Sequence, residues 1–271
     1  MIDIDTLSKL SDKRDVRFNK FIKDLENKLK KYQQHILDKI INDIFHDTDL
    51  EEIDDVLIKL NEVLEDDKDY TALLTWYKKE VNSLLELTEE YFQEFDRTIP
   101  RETKSYIDTF IIAFISTLSS FKGDITSNIT SLYLSDSKSK FKAESFSNRI
   151  LGTKNRGYIY NKLLPQMRDT ALQLVRLADS QTAEKEELTH ALYTGLPLTE
   201  KSRCFCIERK DKFFSLETVD SWDDVDWSGK ISGIKTRIQA GGINCNHAIL
   251  YVDEETAEKY GVTTNEELNP C

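Results

Sequence analysis

Glycine is scarce in the first two-thirds of this 271-residue chain. Only three of the nine glycines precede residue 195, and all four cysteines follow residue 200. Glycine marks turns and loops, so its shortage predicts a helical region, and its later abundance predicts a compact, loop-rich module. We therefore predict a mainly α fold, with a long helical domain at 1–195 and a small α+β module at 196–271.

The chain also lacks a long apolar run. A membrane helix needs about 18 apolar residues, and the nearest segment, 106–121, is interrupted by Asp108 and several serines and threonines. This segment predicts a buried helix, and no membrane partner is expected. The acidic, polar start of the chain does not resemble a signal peptide, so synthesis in the cytoplasm is expected.

The chain also has no excess of basic residues. The formal net charge is -12 and the pI about 5.0, so nonspecific binding to nucleic acid is not expected. Four cysteines in a chain of this length are also far below the density of a disulfide scaffold.

Apolar periodicity predicts several amphipathic helices in the first domain. The clearest stripe has spacings of three and four residues and comprises Phe21, Leu25, Leu29, Tyr32, Ile36, Ile40 and Ile44. Further helices are predicted at 53–64 and 73–92, after Pro100 (with most of its surface buried), and over 157–194. These stripes favour core packing, but a long amphipathic helix can also dock a partner, and the Phe21–Ile44 stripe is the candidate for that.

The module at 196–271 predicts short strands and turns. Strands are expected at 213–214 and 248–252, a helical turn capped by Ser215, and a final helix from 253 to about 260. Gly241 and Gly242 predict a tight turn. Trp222 and Trp227 are a large apolar mass for a small module, so we expect both to pack on its core.

Two short motifs bring together residues that bind metals. Cys204 and Cys206 form a Cys-x-Cys pair, and Cys245 and His247 a Cys-x-His pair, with 38 residues between them. Thiolates and an imidazole, four in number, match a tetrahedral structural zinc site. Small modules with a small hydrophobic core often need a bound metal or a disulfide for stability. Two alternatives remain open: buried thiols in a small core, or a disulfide from Cys204 or Cys206 to Cys245.

The same block resembles the C-terminal signature of tailed-phage head morphogenesis proteins, the minor head proteins related to the phage Mu F-like family. The resemblance covers residues 200–252. It rests on Ser202-Arg203-Cys204-Phe205-Cys206, Lys212-Phe213-Phe214, Asp220-Ser221-Trp222, Trp227-Ser228-Gly229 and Gly241-Gly242-Ile243-Asn244-Cys245-Asn246-His247. Asn246 stands where the family pattern has arginine.

The resemblance implies a virion component present in few copies and without catalytic activity. Such a protein is made in the host cytoplasm and assembles with the portal, capsid or connector. Self-association is a further expectation. Two rival functions stay open. One is a connector, adaptor or tail structural protein of the virion. The other is a metal-dependent nuclease or processing enzyme. A nuclease would be built on His247 with Asp223, Asp224 or Asp226, and would need a second histidine such as His190 nearby.

Overall fold

The computed structural model describes residues 3–39, 67–119 and 157–268, together with positions 58, 62, 123, 126, 127 and 131. The protein is mainly helical, with one small antiparallel sheet near the C-terminus, so the predicted fold class is confirmed. None of the helices in the described ranges is long and apolar enough to cross a membrane. Within the described ranges, the long helices are α1 (Ile4–Lys39), α2 (Lys68–Gln93), α3 (Arg101–Ser119) and α4 (Tyr158–Lys185).

Helix α1 begins well before the apolar stripe, because Asp3 caps it. The Asp3 carboxylate accepts a hydrogen bond from the Thr6 amide at 2.8 Å. The described members of the stripe are at most 4% exposed: Phe21, Leu25, Leu29, Tyr32 and Ile36. Their side chains pack inside this chain, so the prediction that they also face a second chain is wrong. Ile40 and Ile44 lie outside the described residues.

Helices α2 and α3 follow the predicted positions, but α3 is less buried than expected. Helix α3 starts directly after Pro100, as Pro at a helix start favours. It buries Ile107, Ile111 and Leu118 and exposes about half of the surface of Tyr106, Phe110 and Ile112 (52%, 44% and 57%). The predicted helix at 53–64 falls almost wholly outside the described residues.

Helix α4 ends at Lys185, nine residues before the predicted end at 194. The amide of Leu188 donates to the Ala183 carbonyl and that of Glu187 to the Glu184 carbonyl, with Glu187 in the left-handed region at φ 53°. This hydrogen-bond pattern is a Schellman cap, which usually uses glycine. Because a glutamate occupies the position here, the sequence does not reveal the end of the helix.

The residues after this cap form the central strand of the sheet. Strand β1 (His190–Gly195) lies between β2 (Lys212–Ser215) and β3 (His247–Val252), antiparallel to both. Its four inner residues are buried on both faces, as a central strand with elements on each side requires. The remaining elements are α5 (Cys204–Arg209), α6 (Leu216–Ser221), α7 (Thr236–Gln239), α8 (Glu254–Tyr260) and the 3₁₀ turns Trp222–Asp224 and Asn265–Glu267.

Contacts within the chain define two compact units. The first comprises Met1–Phe21, Val81–Asp108 and Arg168–Cys271, and the second Ile22–Glu80 and Thr109–Met167. These boundaries do not follow the predicted division at residue 195, because the end of β1 is hydrogen-bonded to strands on the other side of it. In the first unit, a buried ion pair between Arg14 and Asp179 (2.5 Å) connects α1 to α4.

A candidate metal centre in the C-terminal module

Three of the four predicted ligands meet in the first unit. Cys206 lies on α5, Cys245 just before β3, and His247 is the first residue of β3. The Cys206 and Cys245 Sγ atoms are 4.0 Å apart, and Cys245 Sγ is 3.5 Å from His247 Nδ1. All three side chains are buried, with at most 8% exposed. The cluster is therefore a compact group of two sulfurs and one ring nitrogen.

Cys204, the predicted fourth ligand, does not belong to this cluster. It is exposed and disulfide-bonded, whereas Cys206 and Cys245 are free thiols. Both cysteines of the Cys-x-Cys motif lie on α5, and side chains two residues apart on a helix point to opposite sides. The helix therefore excludes a metal site that uses both sulfurs of this motif. The alternative of a disulfide to Cys245 is wrong as well, because Cys245 and Cys206 are both free.

The glycine pair forms the predicted tight turn before Cys245. Gly242 has φ +88°, and the Cys245 amide donates to its carbonyl at 3.0 Å. Gly241 is needed for a different reason, because there is no space for a side chain at this position. A Cβ at Gly241 would lie 2.3 Å from Cys206 Sγ and 2.8 Å from Cys245 Sγ. Only a residue without a side chain allows both sulfurs to approach the backbone here.

The two thiols differ in their ionisation. The hydrogen bond from Cys206 lowers the pKa of Cys245 well below its ordinary value, and His247 and Arg176 act in the same direction. The same hydrogen bond, followed by burial, raises the pKa of Cys206. The amides of Gly241 and His247 donate to Cys245 Sγ at 3.2 and 3.4 Å. The two pKa shifts have opposite directions because the two sulfurs share one hydrogen bond, and the thiolate is the form of cysteine that binds metals.

Arg176 on α4 is a site residue that the sequence analysis missed. Its Nη2 donates to the carbonyls of Cys245 (2.7 Å) and His247 (2.5 Å), and its Nη1 to those of Gln239 and Ile238. The side chain is 5% exposed. An arginine within an apolar helical run must find acceptors when it is buried. That signal was visible in the sequence, but the identity of the acceptors was not.

Tyr193 of β1 covers the cluster from the sheet side. Its hydroxyl donates to Cys206 Sγ at 3.4 Å and lies 3.9 Å from Cys245 Sγ. Its ring stacks on His247 with centroids 5.5 Å apart. Burial and the two cysteines raise the pKa of Tyr193 well above its ordinary range, so the hydroxyl stays neutral. Within the described residues, Nε2 of His247 is buried without a hydrogen-bond partner.

Both tryptophans are buried beside this site, with Trp222 fully enclosed and Trp227 8% exposed. Trp227 stacks on Phe205 with centroids 4.0 Å apart, and its indole N–H donates to the Gly241 carbonyl at 3.3 Å. Trp222 packs edge-on against Phe205 and Phe214. The aromatic residues therefore position both α5 and the glycine turn, the two segments that carry the sulfurs.

The spacing of the three ligand atoms fits a metal ion. Tetrahedral zinc, with sulfur at ~2.3 Å and nitrogen at ~2.0–2.1 Å, places its ligand atoms about 3.6–3.8 Å apart. The observed separations are 4.0 and 3.5 Å, and all three atoms lie within 4.8 Å of one another. Cys206, Cys245 and His247 can therefore supply three of the four ligands of a tetrahedral metal ion.

The residues considered for a nuclease site lie elsewhere. The Asp223 carboxylate accepts hydrogen bonds from the amide and hydroxyl of Thr236, at 2.6 and 2.7 Å. His190 Nδ1 contacts the hydroxyl of its neighbour Thr189. Among the described residues, neither His190 nor Asp223, Asp224 or Asp226 belongs to the ligand group around His247.

Comparisons with protein-family models, with curated proteins and with solved structures found no match to this chain.

Proposed function

We propose that this chain is a structural minor head protein of a tailed bacteriophage that acts by assembly with other virion proteins. The observation that supports this most is that the separate motifs carrying the resemblance pack on one another. The Arg203 guanidinium donates to the carbonyls of Gly241 (3.2 Å) and Ile243 (2.5 Å), which joins the first motif to the last. Trp227, from a third motif, donates to the same Gly241 carbonyl.

This packing gives the motif residues a structural role. Phe205, Trp222, Trp227 and Cys245 all belong to the hydrophobic core around the sheet. A signature whose residues build a core does not need a reaction to explain it, and this agrees with a protein that is incorporated into particles without turnover. The acidic net charge of -12 also favours contacts with proteins over contacts with the packaged nucleic acid.

We further infer that Cys206, Cys245 and His247 supply three of the four ligands of a structural zinc ion. Two cysteine sulfurs and an imidazole are ligands that zinc prefers, and the groups around Cys245 lower the pKa of its thiol toward the thiolate form that binds metals. Arg176 fixes the backbone at both Cys245 and His247, as the surroundings of a metal site commonly do. The role of the ion would be to join α5 to β3.

The assembly role is tested by measuring the protein in particles. Proheads and mature virions are purified from cells producing the phage that encodes this chain, and the copies per particle are counted by quantitative mass spectrometry. A few copies per head, retained after the tail is removed, are expected. Presence only in tails would move the conclusion to the connector, adaptor or tail alternative, and absence from every particle form would refute the virion role.

The nuclease alternative is tested on the purified protein. It is incubated with DNA and Mg²⁺ or Mn²⁺, in parallel with a His247→Ala variant. No cleavage above background is expected from either. Cleavage by the unaltered protein that disappears in the variant would show a catalytic role for His247 and would overturn the purely structural assignment.

Gly241→Ala tests the geometry of the zinc site. The added Cβ would overlap both sulfurs, so we expect a loss of about 1–3 kcal/mol in the free energy of unfolding and loss of the Co²⁺–thiolate absorption band. Gly233→Ala is the control for backbone strain without overlap, because Gly233 has a positive φ of 77°, which Gly241 does not, and nothing within 4 Å of an added Cβ. The control should keep the band, and a normal band in Gly241→Ala would contradict the site.

A further inference from the structure

The imidazole of His247 has a second ring nitrogen that the sulfur cluster does not use. Its Nδ1 lies 3.5 Å from the Cys245 sulfur, whereas its Nε2 is buried without a hydrogen-bond partner in the described part of the chain. A histidine that binds a metal through one nitrogen almost always donates the hydrogen on the other to a carboxylate, a carbonyl or a water molecule. That second hydrogen bond also determines which nitrogen is left to bind the metal. The candidate metal centre therefore requires a partner on the Nε2 side of His247.

A small cavity borders His247 within the first compact unit. Residues of α1, α4 and β3 line it, together with Asn246. Its volume is about 10 Å³, and a single water molecule needs about 10–15 Å³. A phosphate or an organic molecule is too large for this space. Size therefore limits the occupant to one water molecule.

Three of the residues that line this cavity carry buried polar atoms with no hydrogen-bond partner among the described residues. These atoms are Nε2 of His247, Nε and Nη1 of Arg14, and Oδ1 of Asn246. Arg14 is 4% exposed and His247 8%. The remaining nitrogen of Arg14, Nη2, donates to Asp179 at 2.5 Å, which fixes the guanidinium in place. Two donors and one acceptor are thus available, and a buried water typically makes about three hydrogen bonds to such groups.

Part of the cavity wall is apolar and is formed by Phe18, Leu172, Val175 and Leu250. A cavity lined only by such residues stays dry, since water gains no hydrogen bonds there. The polar groups reverse that balance, because a buried donor or acceptor without a partner costs free energy. One water molecule satisfies three such groups at once, so its binding is favoured in spite of the apolar part of the wall.

We propose that this cavity binds one ordered water molecule, which accepts hydrogen bonds from His247 Nε2 and from Arg14 and donates one to the Asn246 side chain. The water holds the imidazole with Nδ1 directed at the sulfurs. Arg14 and Asn246 are therefore positioning residues for the metal centre. The positioning role rests on the zinc site proposed above, whereas the water site itself does not.

The test follows the His247 ring by nuclear magnetic resonance in the full-length protein, labelled at its four histidines. Nuclear Overhauser contacts between the ring and water are recorded in the chelator-treated and in the zinc-loaded protein. The affinity for zinc is measured by competition with a chelator. Val175, which lines the cavity and is 1% exposed, is the position to change. Val175→Ile adds a methylene group in the space of the water, and Val175→Ala, the control at the same position, enlarges that space.

We expect contact with a long-lived water at the His247 ring in the unaltered protein and in Val175→Ala, with and without zinc. Val175→Ile should lose this contact and bind zinc about 10- to 100-fold more weakly, the range for loss of an outer-sphere partner. Asn246→Ala, which removes an acceptor of the water, should weaken zinc binding in the same direction.

The proposal is overturned if the unaltered protein shows no water contact at the His247 ring, or if zinc affinity is unchanged in both Val175→Ile and Asn246→Ala. Equal weakening in Val175→Ile and Val175→Ala would also overturn it, because the effect would then come from core packing. A protein that binds no zinc would overturn the metal centre and the positioning role together. The contacts in the chelator-treated protein would then still decide whether the cavity binds water.

Discussion

Cys245→Ser should eliminate zinc binding and destabilise the first compact unit. Structural zinc in small domains contributes about 10–16 kcal/mol of apparent binding free energy, which is linked to folding. The variant removes the sulfur that contacts both Cys206 and His247. We expect bound zinc to fall from one ion per chain to none, and amide protection to be lost first around β1, α5 and β3. Zinc analysis and hydrogen exchange measure the two effects.

Cys204→Ser is the matched control for this experiment, since it makes the same chemical change two residues from Cys206. Cys204 is exposed and disulfide-bonded, so its variant should keep one zinc ion per chain. Equal zinc content in Cys245→Ser and the unaltered protein would eliminate the proposed centre. Loss of zinc in Cys204→Ser instead would restore the four-ligand arrangement that the Cys-x-Cys motif predicts.

Trp222→Ala should cost about 3–5 kcal/mol in the free energy of unfolding, the range for deleting a buried aromatic side chain. The Trp222 ring is fully buried, and its centroid lies 4.9 Å from that of Phe214 and 5.6 Å from that of Phe205. The Arg209 guanidinium covers it at 4.6 Å, and the indole N–H donates to Asn265 at 2.8 Å. Chemical denaturation followed by far-ultraviolet circular dichroism measures the loss.

The same substitution at Trp76 provides the comparison. Trp76 lies on α2 and is only half-buried, so Trp76→Ala should cost clearly less. If Trp222→Ala cost no more than Trp76→Ala, the aromatic cluster would not support the module, and the packing of α5 against the sheet would need another explanation.

Local patterns predicted the local elements well. The stripe at 73–92 corresponds to α2, Pro100 marks the start of α3, and Ser215 caps α6 by accepting from the Thr218 amide at 3.1 Å. Each of these features depends on neighbours in the chain, through helical periodicity or capping. The burial of the apolar stripe of α1 was predicted for the same reason.

Predictions failed where a distant contact or an unusual residue decided the structure. The extension of α4 to residue 194 was wrong because Glu187 adopts the left-handed cap that glycine normally supplies. The ligand role of Cys204 was wrong because α5 is helical and places adjacent motif sulfurs on opposite sides. The described part of the Phe21–Ile44 stripe does not form a docking surface, because its side chains are buried in the core of this chain.

The sequence by itself determined the helical character of the chain, the glycine-rich module and the residue types of the sulfur cluster, since these follow from composition and short spacing. Only the tertiary structure decided which sulfurs meet. Cys206 and Cys245 are 39 positions apart, and they approach because β1 pairs with β3 while Arg176 holds the Cys245 and His247 carbonyls. Contacts of that range depend on how the buried surfaces of several elements fit together, and no local pattern records that fit.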